Sequence, residues 1–346
     1  MKRILLMIIL ALFLAQPVSA ADFTAPPVPE PGAEFMPKET GAFGDALVEL
    51  ICKAMSSLRP DLRDAGTVCV SVIGIVLMLS LVQAIPGTSQ MTCELVGTVA
   101  IGVVLLQQTD ALVHLGAETV AQVSSYGTLL LPVMTAALAA QGGITGSTAL
   151  YMGTAFFDSM LSGMIAKLLI PMTYIFLALA VANSSLDTDI LKQMRDFVKW
   201  LMVWILKIIL YIFTGYMGIT GVVSGTTDAA ALKAAKLTIS GMVPVVGNIL
   251  SDASEAVLVS TGVVKNASGI YGMLAVLSIC MGPFLRIGSH YLILKATGAI
   301  CGVFGSKRIS GLIGDFSAAM GLLLAMTGSV CLLFLISTVC FLKGVG

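Results

Sequence analysis

Residues 67–85 read TVCVSVIGIVLMLSLVQAI, an apolar run in a stretch that carries no charge between Asp64 and Glu94. A helix needs about 20 mostly apolar residues to cross the hydrocarbon core of a bilayer, so the run predicts a membrane span. The whole chain shares this character: 57% of its 346 residues are hydrophobic and 11% are charged. Soluble domains carry about 25% charged residues. An integral membrane protein is therefore predicted, and the balance of 19 basic and 19 acidic residues gives no indication of nucleic-acid binding.

The N-terminus predicts a signal peptide over residues 1–20. Lys2 and Arg3 precede the short apolar run Ile4–Leu14, and Val18 and Ala20 supply the small residues of a cleavage site. An uncleaved first span is the alternative, although the run is short for a span. Cleavage after Ala20 would leave the mature N-terminus exported.

Two exported segments are predicted before the first span. Residues 21–40 are rich in proline and acidic, which predicts a disordered leader. Residues 41–65 carry apolar side chains at helical spacing and predict an amphipathic helix. This helix either lies on the membrane or a partner, or packs against the spans of its own chain. Its apolar stripe consists of Leu47, Leu50, Ile51, Ala54, Met55 and Leu58.

Residues 66–346 predict an all-α polytopic membrane domain with seven to nine transmembrane helices. A second span is expected over about 93–109, ending near Asp110, His114 and Glu118. The uncharged stretch from Glu118 to Asp158 is long enough for two passes, joined by a turn in Gln141–Ser147. The segment 290–304 is either a span or an interfacial helix. The other predicted spans begin near residues 168, 200, 270 and 317.

The segment Ser185–Lys199 predicts an interfacial helix on the cytoplasmic side, because three bases lie opposite its apolar stripe. Five spans from an exported N-terminus also end in the cytoplasm. The bases are Lys192, Arg195 and Lys199. One face of this helix continues into the sixth span as a predicted interfacial belt, which consists of Trp200, Trp204, Lys207 and Tyr211.

Four prolines interrupt apolar runs, and each removes a backbone donor. Such breaks either form sites inside the membrane, as in transporters, or are kinks with a packing role. The prolines are Pro132, Pro171, Pro244 and Pro283. Asp158 is the acid least easily explained within a span, and the neighbouring Ser159, Ser162 and Gly163 indicate that it faces a wet interior.

Residues 239–255 read ISGMVPVVGNILSDASE and predict a helix, a break at Pro244 to Asn248 and a second helix. Asp252 and Glu255 have the spacing of a capping box, so capping is the alternative to a functional role for Asp252. The region of about 225–269 is thus predicted to form a re-entrant or interfacial hairpin. No enzyme motif occurs, and no catalytic residue, metal or cofactor is predicted.

The segment 233–272, KAAKLTISGMVPVVGNILSDASEAVLVSTGVVKNASGIYG, resembles the hallmark region of the stage III sporulation protein AE family. LLLPVMTAALAAQGG (129–143) and the amphipathic stretch 186–225 support this resemblance, which covers most of the chain from about residue 40. It implies a multi-pass protein in the mother-cell membrane that surrounds the forespore of an endospore-forming bacterium.

The resemblance also implies a function and partners. Members belong to a channel, or feeding-tube, complex that joins mother cell and forespore and supports forespore development after engulfment. The implied partners are a cytoplasmic secretion-type ATPase, ring-forming proteins between the membranes and a protein of the forespore membrane. The family has no established catalytic residues.

Two functions remain open: a non-enzymatic channel or secretion subunit, and an autonomous secondary transporter that uses broken helices, Asp158 and Asp252. The shortage of acids inside the membrane favours the first. The candidate residues for assembly or for a pathway are Lys233, Lys236, Pro244, Gly247, Asn248, Ser251, Asp252, Lys265, Asn266 and Asp158.

Overall fold

The computed structural model describes residues 26–37, 43–86, 89–140, 144–186, 188–219, 267–304 and 307–343. Within these ranges the regular elements are helical. They are α1 (Glu30–Ala33), α2 (Phe43–Gln83), α3 (Gln90–Ala140), α4 (Ile144–Met164), a π-helical segment (Ile165–Leu169), α5 (Ile170–Leu186), α6 (Asp189–Ile219), α7 (Ala267–Phe304) and α8 (Lys307–Lys343). The predicted signal peptide and residues 225–266 of the predicted hairpin lie outside the described residues.

Six helices of the described residues are long and apolar enough to cross a membrane, with α4, the π-helical segment and α5 together forming one of them. The all-α membrane architecture predicted from composition is therefore confirmed. Because residues 220–266 are not described, the total of seven to nine spans stays a prediction.

The helices are longer than the sequence predicts, because segments expected to be separate join end to end. The amphipathic segment 41–65 continues without interruption into the first span as α2. The segment 185–199 divides between the end of α5 and the start of α6, and α6 runs on through the predicted sixth span. The segments 270–284 and 290–304 form the single helix α7.

α3 shows why a polar stretch does not end a helix here. Asp110, His114 and Glu118 recur every four residues and are all exposed, while Leu112 and Val113 between them are buried. Because the polar side chains share one face, the helix continues on its apolar faces. With 51 residues, α3 is about 76 Å long at 1.5 Å per residue, more than twice the thickness of a hydrocarbon core of about 30 Å.

Pro132 lies inside α3 and Pro283 inside α7, so neither proline ends its helix. Pro171 does coincide with a change of backbone geometry. A proline ring clashes with the carbonyl of the residue four positions earlier, which is Lys167. The turn that holds this carbonyl is π-helical, and its wider spacing accommodates the ring.

The core of the bundle is α8, which contacts α3, α4, α5, α6 and α7. Phe316, Phe334 and Phe341 on this helix are fully buried. α7 packs along α8, and α2 packs on the other side of α7. α2 and α6 are the least covered of the six long helices, so most of their apolar surface faces outward.

Part of the leader is held against the bundle, unlike the disordered segment that its composition predicts. Phe35 is buried, and a Cβ built on Gly282 of α7 would touch its ring. Lys53 on α2 donates a hydrogen bond to the Met36 carbonyl at 2.9 Å and forms an ion pair with Glu49. The aromatic anchor Phe35 explains why this short segment packs despite its proline content.

The register of α7 against α8 predicts a cross-link between two native cysteines. The buried thiols of Cys280 and Cys331 contact each other across the two helices. Mild oxidation of the membrane-embedded protein is expected to join them, and mass spectrometry of the digested protein would detect the linked peptides. Cys280→Ala is the control, and a linkage of Cys331 to any other cysteine would contradict this register.

Candidate functional site

Asp158 is the only charged residue of α4 and is buried at the contact of this helix with α3, with 2% of its surface exposed. The Ser124 hydroxyl on α3 donates a hydrogen bond to Oδ2 at 2.7 Å. The other oxygen, Oδ1, is buried and has no hydrogen-bond partner. A buried carboxyl with one unsatisfied oxygen is costly to leave in place, and inside a membrane such a group indicates a functional site by default.

The surroundings of Asp158 are hydroxyl-rich on the outer side. Ser124 and Ser162 are partly exposed and Ser159 is exposed, and the Ser162 hydroxyl donates to the main-chain oxygen of Asp158. A Cβ built on Gly163 would meet open space. The preceding residue, Phe157, is buried, and its ring packs against that of Phe213 on α6 with the centroids 5.5 Å apart. The wet interior expected for Asp158 stays a prediction.

A second buried polar contact joins α6 to the central helix. Arg195 Nη1 lies 2.7 Å from Oδ2 of Asp315, and the two side chains are only 14% and 16% exposed. Nε and Nη2 of the same guanidinium donate to Asp196 at 3.0 and 2.8 Å. The sequence predicts Arg195 as one of the bases of a cytoplasmic interfacial helix. In the structure, its ion pair with Asp315 joins α6 to α8.

Further polar contacts tie the long helices together near the exposed polar face of α3. The Tyr174 hydroxyl of α5 donates to Asp110 at 2.7 Å, and Arg286 of α7 lies 3.7 Å from Asp61 of α2. In the opposite half of the bundle, the buried Thr154 donates to Ser337 of α8 at 3.0 Å.

Trp200, Trp204 and Tyr211 of α6 are exposed, as an interfacial belt requires. Phe197 stacks on Trp200 with ring centroids 6.0 Å apart, and Trp200 stacks on Trp204 at 5.9 Å. Lys207 is half-buried farther along the same helix. Their placement at a membrane surface stays a prediction.

The other candidate residues lie in the part of the chain that the structure does not describe. They are Lys233, Lys236, Pro244, Gly247, Asn248, Ser251, Asp252, Lys265 and Asn266. Of the predicted set, only Asp158 can be assigned a geometry. Among the described residues, no three His, Cys, Asp or Glu side chains are grouped closely enough to hold a metal ion.

Comparison with known proteins decides the family. The model of the family described as "Stage III sporulation protein AE" matches residues 37–344, which is most of the chain and includes the whole hallmark region. The chain belongs to this family. The stage III sporulation protein AE of Bacillus subtilis (strain 168) is 22% identical over 235 residues, which cover 68% of this chain and 59% of that protein. No solved structure matches.

Membership of the stage III sporulation protein AE family places the bundle among sporulation proteins, and this is not a known enzyme family. The match begins at residue 37, so it includes all of α2 to α8 and excludes most of the leader. The resemblance stated from the hallmark sequence is therefore confirmed.

Sequence reasoning missed two partners in this member of the stage III sporulation protein AE family. Ser124 is 34 positions from Asp158, and Asp315 is 120 positions from Arg195. The only available signal was that Asp158 and Asp315 are isolated acids in apolar surroundings, which indicates that each needs a partner but does not identify it.

Proposed function

We propose that this protein is a membrane subunit of a channel or secretion complex between mother cell and forespore, and that it supports forespore development after engulfment. The observation that carries the proposal is the family match over residues 37–344. The subunit acts without catalysis of its own, and it resides in the mother-cell membrane around the forespore with its N-terminus exported after signal cleavage.

The architecture supports an assembly role. α2 and α6 lie at the outside of the bundle and leave broad apolar faces uncovered. Lipid and neighbouring subunits are the two environments that such faces tolerate in a membrane. The proposed partners are the cytoplasmic secretion-type ATPase, the ring-forming intermembrane proteins and the forespore-membrane protein, with the hallmark region of about 225–269 as a contact surface.

Deleting the gene tests the proposal in the organism that carries it. We expect the deletion strain to complete engulfment and then to stop, without heat-resistant spores, because the forespore loses its connection to the mother cell. Microscopy with a membrane dye would locate the arrest, and spore counts after heating would quantify it. Restoring the intact gene at another chromosomal site is the control for effects on neighbouring genes.

Two results would contradict the proposal. One is a deletion strain that forms heat-resistant spores in normal numbers. The other is solute uptake by the purified, reconstituted protein alone that Asp158→Asn abolishes, which would identify an autonomous transporter. Neither the family match nor the name of the relative favours a transporter.

A further inference from the structure

We propose that Asp158 is a proton-binding site within the bundle and that the Ser124 hydroxyl positions its carboxyl. The two side chains meet at the contact between α3 and α4, where Asp158 Oδ1 is buried and unpartnered. This inference concerns the chemistry of one buried group and does not depend on the channel role proposed above.

The first step is the absence of a compensating charge. The described elements that pack against α4 are α3, α6, α8 and the π-helical segment. The titratable side chains of these elements include Glu118, Tyr126, Lys167, Lys207, Tyr216 and Asp315. Among the described residues, Ser124 is the one side chain that hydrogen-bonds the carboxyl, and no cation pairs with it.

The second step follows from the cost of burying charge. A carboxylate without a counter-ion in an apolar interior costs far more than a neutral group left without one hydrogen bond, so such a group takes up a proton. The neutral acid matches the observed contacts, because Oδ2 still accepts the Ser124 hydrogen while Oδ1 carries the proton. The reaction is transfer of one proton from hydronium to the carboxylate, which leaves water and a carboxylic acid.

The third step is the place of the proton. The Ser124 hydroxyl donates to Oδ2 at 2.7 Å, so Oδ1 is the oxygen left without a partner. A serine hydroxyl has one hydrogen to donate, and this one is engaged with Oδ2. Ser124 therefore positions the carboxyl, and the proton binds at Oδ1.

A pH titration of the full-length protein in lipid nanodiscs, followed by infrared difference spectroscopy, tests the site. We expect a protonated carboxylic-acid carbonyl band at neutral pH that converts to carboxylate as the pH rises. Labelling with 13C-aspartate should shift this band and so separate it from glutamate. Asp158→Asn should abolish it, whereas Ser124→Ala should shift its frequency, because the hydrogen bond to Oδ2 is lost.

Asp315→Asn provides a matched control, because Asp315 is also mostly buried but is paired with Arg195 and is expected to stay ionised. The band should persist in this variant. Should Asp158→Asn fail to fold, the frequency shift in Ser124→Ala assigns the band instead. The proposal is overturned if the wild-type protein shows no protonated aspartate at neutral pH, or if the band is unaffected by both Asp158→Asn and Ser124→Ala.

Discussion

Replacing Arg195 with methionine is expected to lower the free energy of unfolding by about 3–5 kcal/mol, because it leaves the Asp315 carboxylate buried without its partner. Asp315 is only 16% exposed and receives the guanidinium at 2.7 Å. Lys199 is the other base near it, on the exposed surface of α6. Methionine keeps much of the apolar stem of arginine, so the loss reports the pair rather than the packing.

Replacing Asp315 instead of Arg195 is expected to lower the free energy of unfolding by a smaller amount. After Asp315→Leu, Arg195 keeps its two hydrogen bonds to the exposed Asp196, so we expect a loss of about 1–3 kcal/mol. Lys192→Met on the exposed side of α6 is the control and should change stability by no more than about 0.5 kcal/mol. Unfolding in mixed micelles with increasing amounts of a denaturing detergent would measure the free energy of unfolding of all three variants.

The double variant Arg195→Met/Asp315→Leu tests whether the two side chains stabilise the protein as a pair. Replacing both charges with apolar groups removes the unpaired carboxylate, so the double variant should be more stable than Arg195→Met alone. Losses that simply add would show that the two side chains are not coupled, and the anchoring of α6 on α8 would then rest on apolar packing.

Much of the fold follows from the sequence, because apolar runs such as 67–85 fix where helices can cross a membrane. Helix ends were less predictable. Asp110, His114 and Glu118 resemble the end of a span when read along the chain, yet they occupy one exposed face of a continuing helix. Helical periodicity at those three positions contained this information, whereas hydropathy averaged over a window did not.

The candidate site was predictable only in part. Asp158 was identifiable as an acid in an apolar run, because charge in a membrane is costly wherever it lies. Its contact with Ser124 depends on the register of α3 against α4, and that of Arg195 with Asp315 depends on α6 meeting the last helix of the chain. Such registers are set by side-chain packing between distant segments, which a single sequence does not display.

Gly127 is the position where a single methyl group is expected to disturb the central packing most. This residue of α3 lies beneath the ring of Phe334 on α8, and a Cβ built on it would overlap that ring. Phe334 has no exposed surface, so its ring can move only among buried neighbours. Overpacking of this kind typically lowers the free energy of unfolding by about 1–3 kcal/mol. The loss should be larger for Gly127→Leu than for Gly127→Ala.

Gly163→Ala is the matched control, because a Cβ there meets nothing within 4 Å. In a helix interior, replacing glycine with alanine at an open position should stabilise by about 0.5–1 kcal/mol. The two alanine variants are therefore expected to shift the unfolding midpoint in opposite directions, although both raise helix propensity equally. A rise in stability for both would show that α3 and α8 do not approach closely at Gly127.

A compensating change tests the cause of the Gly127 effect. Phe334→Leu alone should destabilise, since it removes ring atoms from a fully buried position. In the presence of Gly127→Ala, the smaller side chain leaves room for the added methyl group, so the double variant should lose less stability than the sum of the single losses. Because both residues lie in the contact between α3 and the central helix, this positive coupling would establish that the tight approach of those two helices depends on the absence of a side chain at Gly127.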